Sequence, residues 1–412
     1  SRRPVNLLYV YLKRRRPGTS CKRLKPPKLA KMEKVEAPPA FTQMNEIASA
    51  GSGGKILFST DDWFAPAEMM IKDEPPVFIE GKFTDFGKWM DGWETRRKRI
   101  TGHDWCIIRL GAPTIIRGIE MNTAFFTGNY APRFSLQAAA LHGDDAKYFP
   151  VRKGNVMGSA CSPEQLKKVE ELNTEQWKEL VSMTPLRPGY EETRHNYFAI
   201  DCDETFTHVR LNIYPDGGVA RLRVYGEIKP DMNLVKSGKT LDLVSMKNGG
   251  LCVGYSNAHF GHPRNLIKKG KGLNMGDGWE TARRLDRPAI LESDDKGILL
   301  VPGNEWAIFR LCGIGTLEKV LIDTKHFKGN FPDSMKLEGA LVSTSRDRNS
   351  RSLKLLEWKP IINSTKLKAD SEHLYKDFVN SGPFSHVRLT ISPDGGVSRM
   401  RIFGRVTSKK HE

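Results

Sequence analysis

The residues best suited to chemistry lie in one polar run, Asp91-Gly92-Trp93-Glu94-Thr95-Arg96-Arg97, and in the pair His103-Asp104 just beyond it. Two neighbouring arginines offer planar, bidentate donors to an anion such as a carboxylate. Asp91 and Glu94 would accept N–H bonds from the same ligand. A histidine beside a carboxylate serves as a general base, as a metal ligand, or as a capped turn. A third stretch, Phe126-Thr127-Gly128-Asn129-Tyr130, carries a side-chain amide and is followed by Arg133. Asn129 either reads a polar ligand or occupies a left-handed turn. The structural alternative for the first run is a loop pinned by Trp93, with Glu94 paired to a nearby arginine. No GxxxxGK[ST], GxSxG or HExxH run occurs, which disfavours classical ATPase, esterase and zincin chemistry.

These stretches occur twice. Asp91-Gly92-Trp93-Glu94-Thr95 returns as Asp277-Gly278-Trp279-Glu280-Thr281, and Trp105 to Leu110 is echoed by Trp306 to Leu311. Gly128-Asn129 returns as Gly329-Asn330, and His208 to Val219 returns as His386 to Val397. Four blocks in one order mean a duplicated domain rather than a short-period solenoid. The copies differ where chemistry was sought. His103-Asp104 becomes Asn304-Glu305, and Arg96 faces either Ala282 or, with a one-residue shift, Arg283. Any chemistry that needs the imidazole therefore belongs to the first copy.

The elements that must position these residues read as strands. The segment 105–119 is rich in β-branched and apolar residues, with Gly and Pro as punctuation. His208 to Ile213 alternates polar with apolar, and Arg221 to Tyr225 alternates again after Pro215-Asp216-Gly217-Gly218. That pattern predicts a β-hairpin. Ser162-Pro163-Glu164-Gln165 opens a helix with a capping box and a first-turn proline. The predicted fold is all-β: two antiparallel jelly-roll sandwiches in tandem, with a short helical insertion in the first. The expected boundaries are a basic, disordered tail over 1–50, repeats over 51–228 and 248–406, and a linker over 229–247.

Net charge is +17, yet residues 1–32 carry eleven Lys or Arg and no acid, leaving +6 for the remaining 380. The excess belongs to a tail, so neither nucleic acid nor a membrane is an expected partner. No apolar run reaches the 18 residues of a membrane span. The chain opens on Ser, which fits a processed product, a fragment, or a start at Met32 or Met44. The C-terminal Ser408-Lys409-Lys410-His411-Glu412 is not a peroxisomal S-K-L address, so the cytoplasm is the default location. The Arg-rich N-terminus keeps a mitochondrial or other organelle presequence in view. Six cysteines without CxxC spacing read as reduced thiols.

The blocks Gly87-Lys88-Trp89-Met90-Asp91-Gly92-Trp93-Glu94-Thr95-Arg96-Arg97-Lys98-Arg99, Gly102-His103-Asp104-Trp105, Phe125 to Arg133 and Asn212 to Gly226 resemble those of the allantoicase family over about residues 54–406. The resemblance implies galactose-binding-like jelly rolls, a homo-oligomer, and a hydrolase of purine catabolism. That reaction converts allantoate and water to ureidoglycolate and urea. It also implies, for some members, a divalent metal such as manganese or zinc. With allantoate as substrate, His103, Asp104 and Glu94 become the candidates for proton transfer or metal ligation. Arg96, Arg97 and Arg133 become carboxylate anchors, with Asp91 and Asn129 reading the ureido groups. The rival expectation is a non-enzymatic ligand-binding protein built from the same paired domains.

Overall fold

The computed structural model describes residues 37–154, 156–342 and 356–407. Most of the basic tail, Cys21 and the C-terminal run 408–412 lie outside the described residues. Among the described residues, no helix is long and apolar enough to cross a membrane.

Each half of the chain is organised around one 19-residue strand. In the first half it is Asp104–Asn122. Its leading part, up to Arg109, lies between Lys55–Ser59 and Thr205–Tyr214, and its trailing part between Arg221–Ile228 and His195–Ala199. Thr205–Tyr214 continues outward to Arg133–Ala139 and then Lys178–Pro185, all antiparallel. The second half repeats this plan around Glu305–Asp323, with Leu251–Tyr255, Phe384–Ser392, Arg399–Val406 and Glu372–Tyr375 as its neighbours. The two halves are antiparallel β-sandwiches of jelly-roll type.

Strand burial explains the unbroken apolar composition of 105–110. Cys106 and Ile108 face the main core with Val209 and Leu211. Ile107 faces outward but is equally buried, in a second cluster with Phe58, Trp105, Phe149 and Val169. Val169 comes from the helix Pro163–Glu170, the element expected from its capping box. Ser162 Oγ accepts from Gln165 N, and Gln165 Oε1 accepts from Ser162 N. Burying such side chains contributes roughly 1.5–3 kcal/mol each, so the insertion covers a sheet face that would otherwise be wet.

The predicted hairpin does not form. Thr205–Tyr214 and Arg221–Ile228 lie on opposite sides of the long central strand instead of pairing with each other. The Pro215-Asp216-Gly217-Gly218 turn passes the chain across that strand. Gly218 and Val219 pair with Glu94 and Trp93, so two of the repeated motifs meet. Alternation identified the strands, but the pairing depends on contacts more than a hundred residues apart. In the segment 229–247, Met232–Lys236 forms a short helix, and Leu241–Asp242 pairs with Arg399–Val406 in the second sandwich. Asn45–Glu46 pairs with Arg221–Ile228 in the first.

Candidate active site

Trp93 and Trp279 anchor equivalent loops. Both are fully buried, and each indole N–H donates a 2.8 Å bond to a backbone carbonyl, Asp61 in the first copy and Asn257 in the second. Next to each tryptophan, a two-residue strand pairs with the Gly-Val of the turn. Gly218 is obligatory there, because a Cβ would lie 2.0 Å from the Phe126 ring. Its N–H donates to Asn129 O at 2.7 Å. The Asn129 amide in turn donates to Glu94 Oε1 at 2.6 Å. Asp-Gly-Trp-Glu, Gly-Asn-Tyr and Pro-Asp-Gly-Gly thus converge on one carboxyl group.

Glu94 is 9% exposed and has no cationic partner among the described residues. Burial pushes its carboxyl up to about 7, with the Asn129 hydrogen bond pulling the other way. A buried carboxyl poised near neutrality can donate or accept a proton at working pH.

His103 sits at the mouth of the same turn, its ring tilted against that of Tyr214 with centroids 4.4 Å apart. Its Nε2 lies 3.0 Å from Asn212 Oδ1. That oxygen also accepts from Arg210 Nε, while Asn212 Nδ2 donates to Ser135 Oγ and Gln137 Oε1. The orientation of the amide is therefore set by its neighbours, and His103 Nε2 must be the donor. Burial lowers the imidazole below its usual value, outweighing the Asn212 bond. The ring is neutral near pH 7, with the Nδ1 lone pair available as a base. Asp104 N bonds Pro215 O and Glu94 pairs with Gly218. Only Asp216 and Gly217 lie between those two attachment points, about 10 Å of chain at most.

The other candidates divide into engaged and unengaged groups. Asp104 Oδ1 accepts from Lys98 Nζ at 2.7 Å and Thr60 Oγ1 at 2.8 Å, so its carboxylate holds the loop. Asp91, expected to read ureido N–H groups, receives Arg221 Nη2 at 2.7 Å, Val77 N and Lys72 Nζ. Burial alone would raise its carboxyl, but Arg221 and the Val77 N–H hold it below its ordinary value. Arg96, expected to grip an anion, makes a 2.7 Å ion pair with Asp61 and lies over the Trp63 ring. Arg97 and Arg133 are exposed, and among the described residues neither guanidinium has a partner.

The three side chains named as metal donors are each held by a different neighbour. Among the described residues, no group of three or more His, Cys, Asp or Glu is arranged to hold a metal ion. The donor set of Glu94, His103 and Asp104 does not fit a divalent cation.

The second copy fixes the alignment that the sequence left open. Arg96 N donates to Asp61 Oδ1, and Ala282 N donates to Asn257 Oδ1. Arg96 therefore faces Ala282, and the Arg96–Asp61 ion pair is replaced by a neutral Ala–Asn pair. Lys98–Asp104 is matched by Arg284–Glu305, which places Asn304 opposite His103. Arg133 pairs with Tyr214 and Ser334 with Ser392, which makes Ser334 the counterpart of Arg133. Asp61 was not among the candidates drawn from the sequence. The signal was there: Thr60-Asp61-Asp62-Trp63-Phe64 faces Ser256-Asn257-Ala258-His259-Phe260.

Comparison with known proteins agrees with this duplicated geometry. The family profile "Allantoicase repeat" matches residues 45–229 and again 241–407. A probable allantoicase of Pseudomonas fluorescens (strain SBW25) is 40% identical over 368 residues, which is 89% of this chain and 98% of that one. A probable allantoicase of Pseudomonas savastanoi pv. phaseolicola is 41% identical over 375 residues, covering 91% and 99%. The crystal structure of allantoicase from Saccharomyces cerevisiae superposes with a TM-score of 0.65 at 33% identity, covering 87% of this chain and 92% of that chain. With both repeats matched in full and the paired motifs in place, the chain belongs to the allantoicase family.

Proposed function

We propose that this chain hydrolyses allantoate to ureidoglycolate and urea at the Glu94–His103 corner of the first repeat. The observation that carries the site assignment is that two oppositely tuned groups belong to segments attached at the two ends of the Pro215–Gly218 turn. Glu94 keeps its proton up to about pH 7, while His103 stays neutral below its ordinary pKa. Environments that push two titratable groups apart in this way define an acid and a base.

Allantoate carries one hydrogen, one carboxylate and two ureido groups on a single carbon. Arg97 and Arg133, both unengaged, anchor the carboxylate. His103 Nδ1 takes the N–H proton of the retained ureido group. The bond from the central carbon to the other ureido nitrogen breaks as the Glu94 carboxylic acid protonates that nitrogen, and urea leaves. The central carbon is then an imine. Water adds to it, giving its proton to the Glu94 carboxylate, and the His103 imidazolium reprotonates the imine nitrogen. Ureidoglycolate forms, and both side chains return to their starting states. Asn129 aims Glu94, Asn212 fixes the His103 tautomer, and Lys98–Asp104 ties the two segments together. Asp91 and Arg96 shape the loop without touching substrate in this reading.

Assay of urea release by the wild type, Glu94→Gln and His103→Asn tests the site. Each variant should lose at least about a hundredfold in kcat/KM while retaining its fold. Wild-type rates in both would remove this corner from the reaction.

A further inference from the structure

The second repeat lacks the proposed base, yet the same end of its sandwich holds an open cavity of about 340 Å³. Its walls include Phe260, Glu280, Arg283, Arg287, Asn330 and Asp394. Glu280 and Asn330 reproduce the Glu94–Asn129 bond at the same 2.6 Å. The setting differs, because Glu280 is half-buried where Glu94 is nearly enclosed.

The polar groups around this cavity are incompletely used. Arg283 is exposed, and among the described residues its guanidinium has no partner. Arg287 places one terminal nitrogen 2.7 Å from Asp394 Oδ1, and its Nε is buried with no hydrogen-bond partner among the described residues. Arg287 is thus committed to Asp394, and Arg283 is the guanidinium left for a ligand carboxylate. Glu280 receives one bond on Oε1 and keeps Oε2 as an acceptor for N–H groups. Of the three carboxylates in the walls, Asp394 is engaged by Arg287 and Asp333 by Lys366, which leaves the Arg283 guanidinium and the Glu280 carboxylate of this small-ligand-sized cavity to recognise a molecule that joins a carboxylate to a ureido or amide group. Asn304 and Ser334 stand where the first repeat has His103 and Arg133, so the counterpart of the proposed imidazole base is missing there.

We infer that the second repeat is a binding site for small ureido-carboxylates that holds its ligand without cleaving it. The ligand class rests on the reading of this chain as an allantoate hydrolase. Binding follows from Arg283 and Glu280, and release of intact ligand follows from Asn304.

The test uses the full chain and hydantoate, which carries one carboxylate and one ureido group and cannot lose urea in the same way. Calorimetric titration should show two sites per chain. Arg283→Ala, at an exposed side chain with no partner, should weaken one site tenfold or more and leave kcat/KM for allantoate unchanged. Glu280→Gln should act on the same site. Glu94→Gln should abolish turnover and leave that site intact. A single site per chain, unaffected by Arg283→Ala, would overturn the inference while urea release still upheld the hydrolase reading. Loss of turnover in Arg283→Ala would also overturn it, by making the pocket part of the active site. Absence of both urea release and hydantoate binding would overturn both readings together.

Discussion

The Asn129 amide donates to Glu94 at 2.6 Å, and Asn330 repeats that bond to Glu280 at the same distance in the second domain. Duplication has preserved the hydrogen bond, but burial and the surrounding residues have diverged. In the first domain the carboxyl is enclosed, raised to about 7 and accompanied by a neutral histidine. In the second it borders an open cavity with unused arginine donors.

Removing the acid while keeping its shape should trade activity for stability. The folded state holds the Glu94 proton up to about pH 7, whereas the unfolded chain releases it near 4.5. This carboxyl therefore favours the fold fully below about pH 4.5 and loses that contribution as pH rises through 7. The difference of about 2.5 units corresponds to an order of 3 kcal/mol. Glu94→Gln should flatten the pH dependence of chemical denaturation between pH 4.5 and 7. An unchanged slope would show that the carboxyl titrates normally.

The same two groups should shape the pH–rate profile. Activity needs His103 neutral and Glu94 protonated, so kcat/KM should fall on the acid side below 6.5 and on the alkaline side near 7. Asn212→Ala removes the bond that fixes Nε2–H. It should lower kcat and move the acid limb alone, whereas a purely structural asparagine would leave both limbs where they are.

Arg97 and Arg133 should govern substrate binding. A charged hydrogen bond contributes about 1.5–3 kcal/mol, so Arg97→Ala or Arg133→Ala should raise KM roughly ten- to a hundredfold with a smaller change in kcat. Arg96→Ala should leave KM alone. A KM effect from Arg96 equal to that of Arg97 would contradict the ion pair drawn to Asp61.

The Arg96–Asp61 pair offers a separate check on stability. Arg96→Ala leaves a buried carboxylate without its cation and should cost about 1–3 kcal/mol. Asp61→Asn added to Arg96→Ala recreates the neutral pair found at Asn257 and Ala282, and should recover most of that loss. Double-mutant denaturation curves that simply add would show the two side chains to be uncoupled.

Much of the architecture was legible because repetition exposed it. Trp93 and Trp279 marked equivalent loops, alternation marked the strands, and Ser162 with Gln165 marked the helix. The strand partners were not legible. Local turn chemistry at Pro215 to Gly218 suggested a hairpin, and only the packed sandwich brings Gly218 to Glu94. The candidate site was legible as a neighbourhood more than as roles. Arg96, Arg97 and Arg133 look alike in sequence, yet Arg96 is held by Asp61 while the other two guanidinium groups have no partner among the described residues. Charge type alone carries no information about which partner a side chain meets.

The most direct measurement is urea release from allantoate at pH 7 by the wild type and Glu94→Gln, assayed side by side with circular dichroism on both. The account predicts urea and ureidoglycolate in equal amounts from the wild type, and a rate at least about a hundredfold lower from a variant that is equally well folded. A variant as active as the wild type, or a wild type that releases no urea, would contradict it.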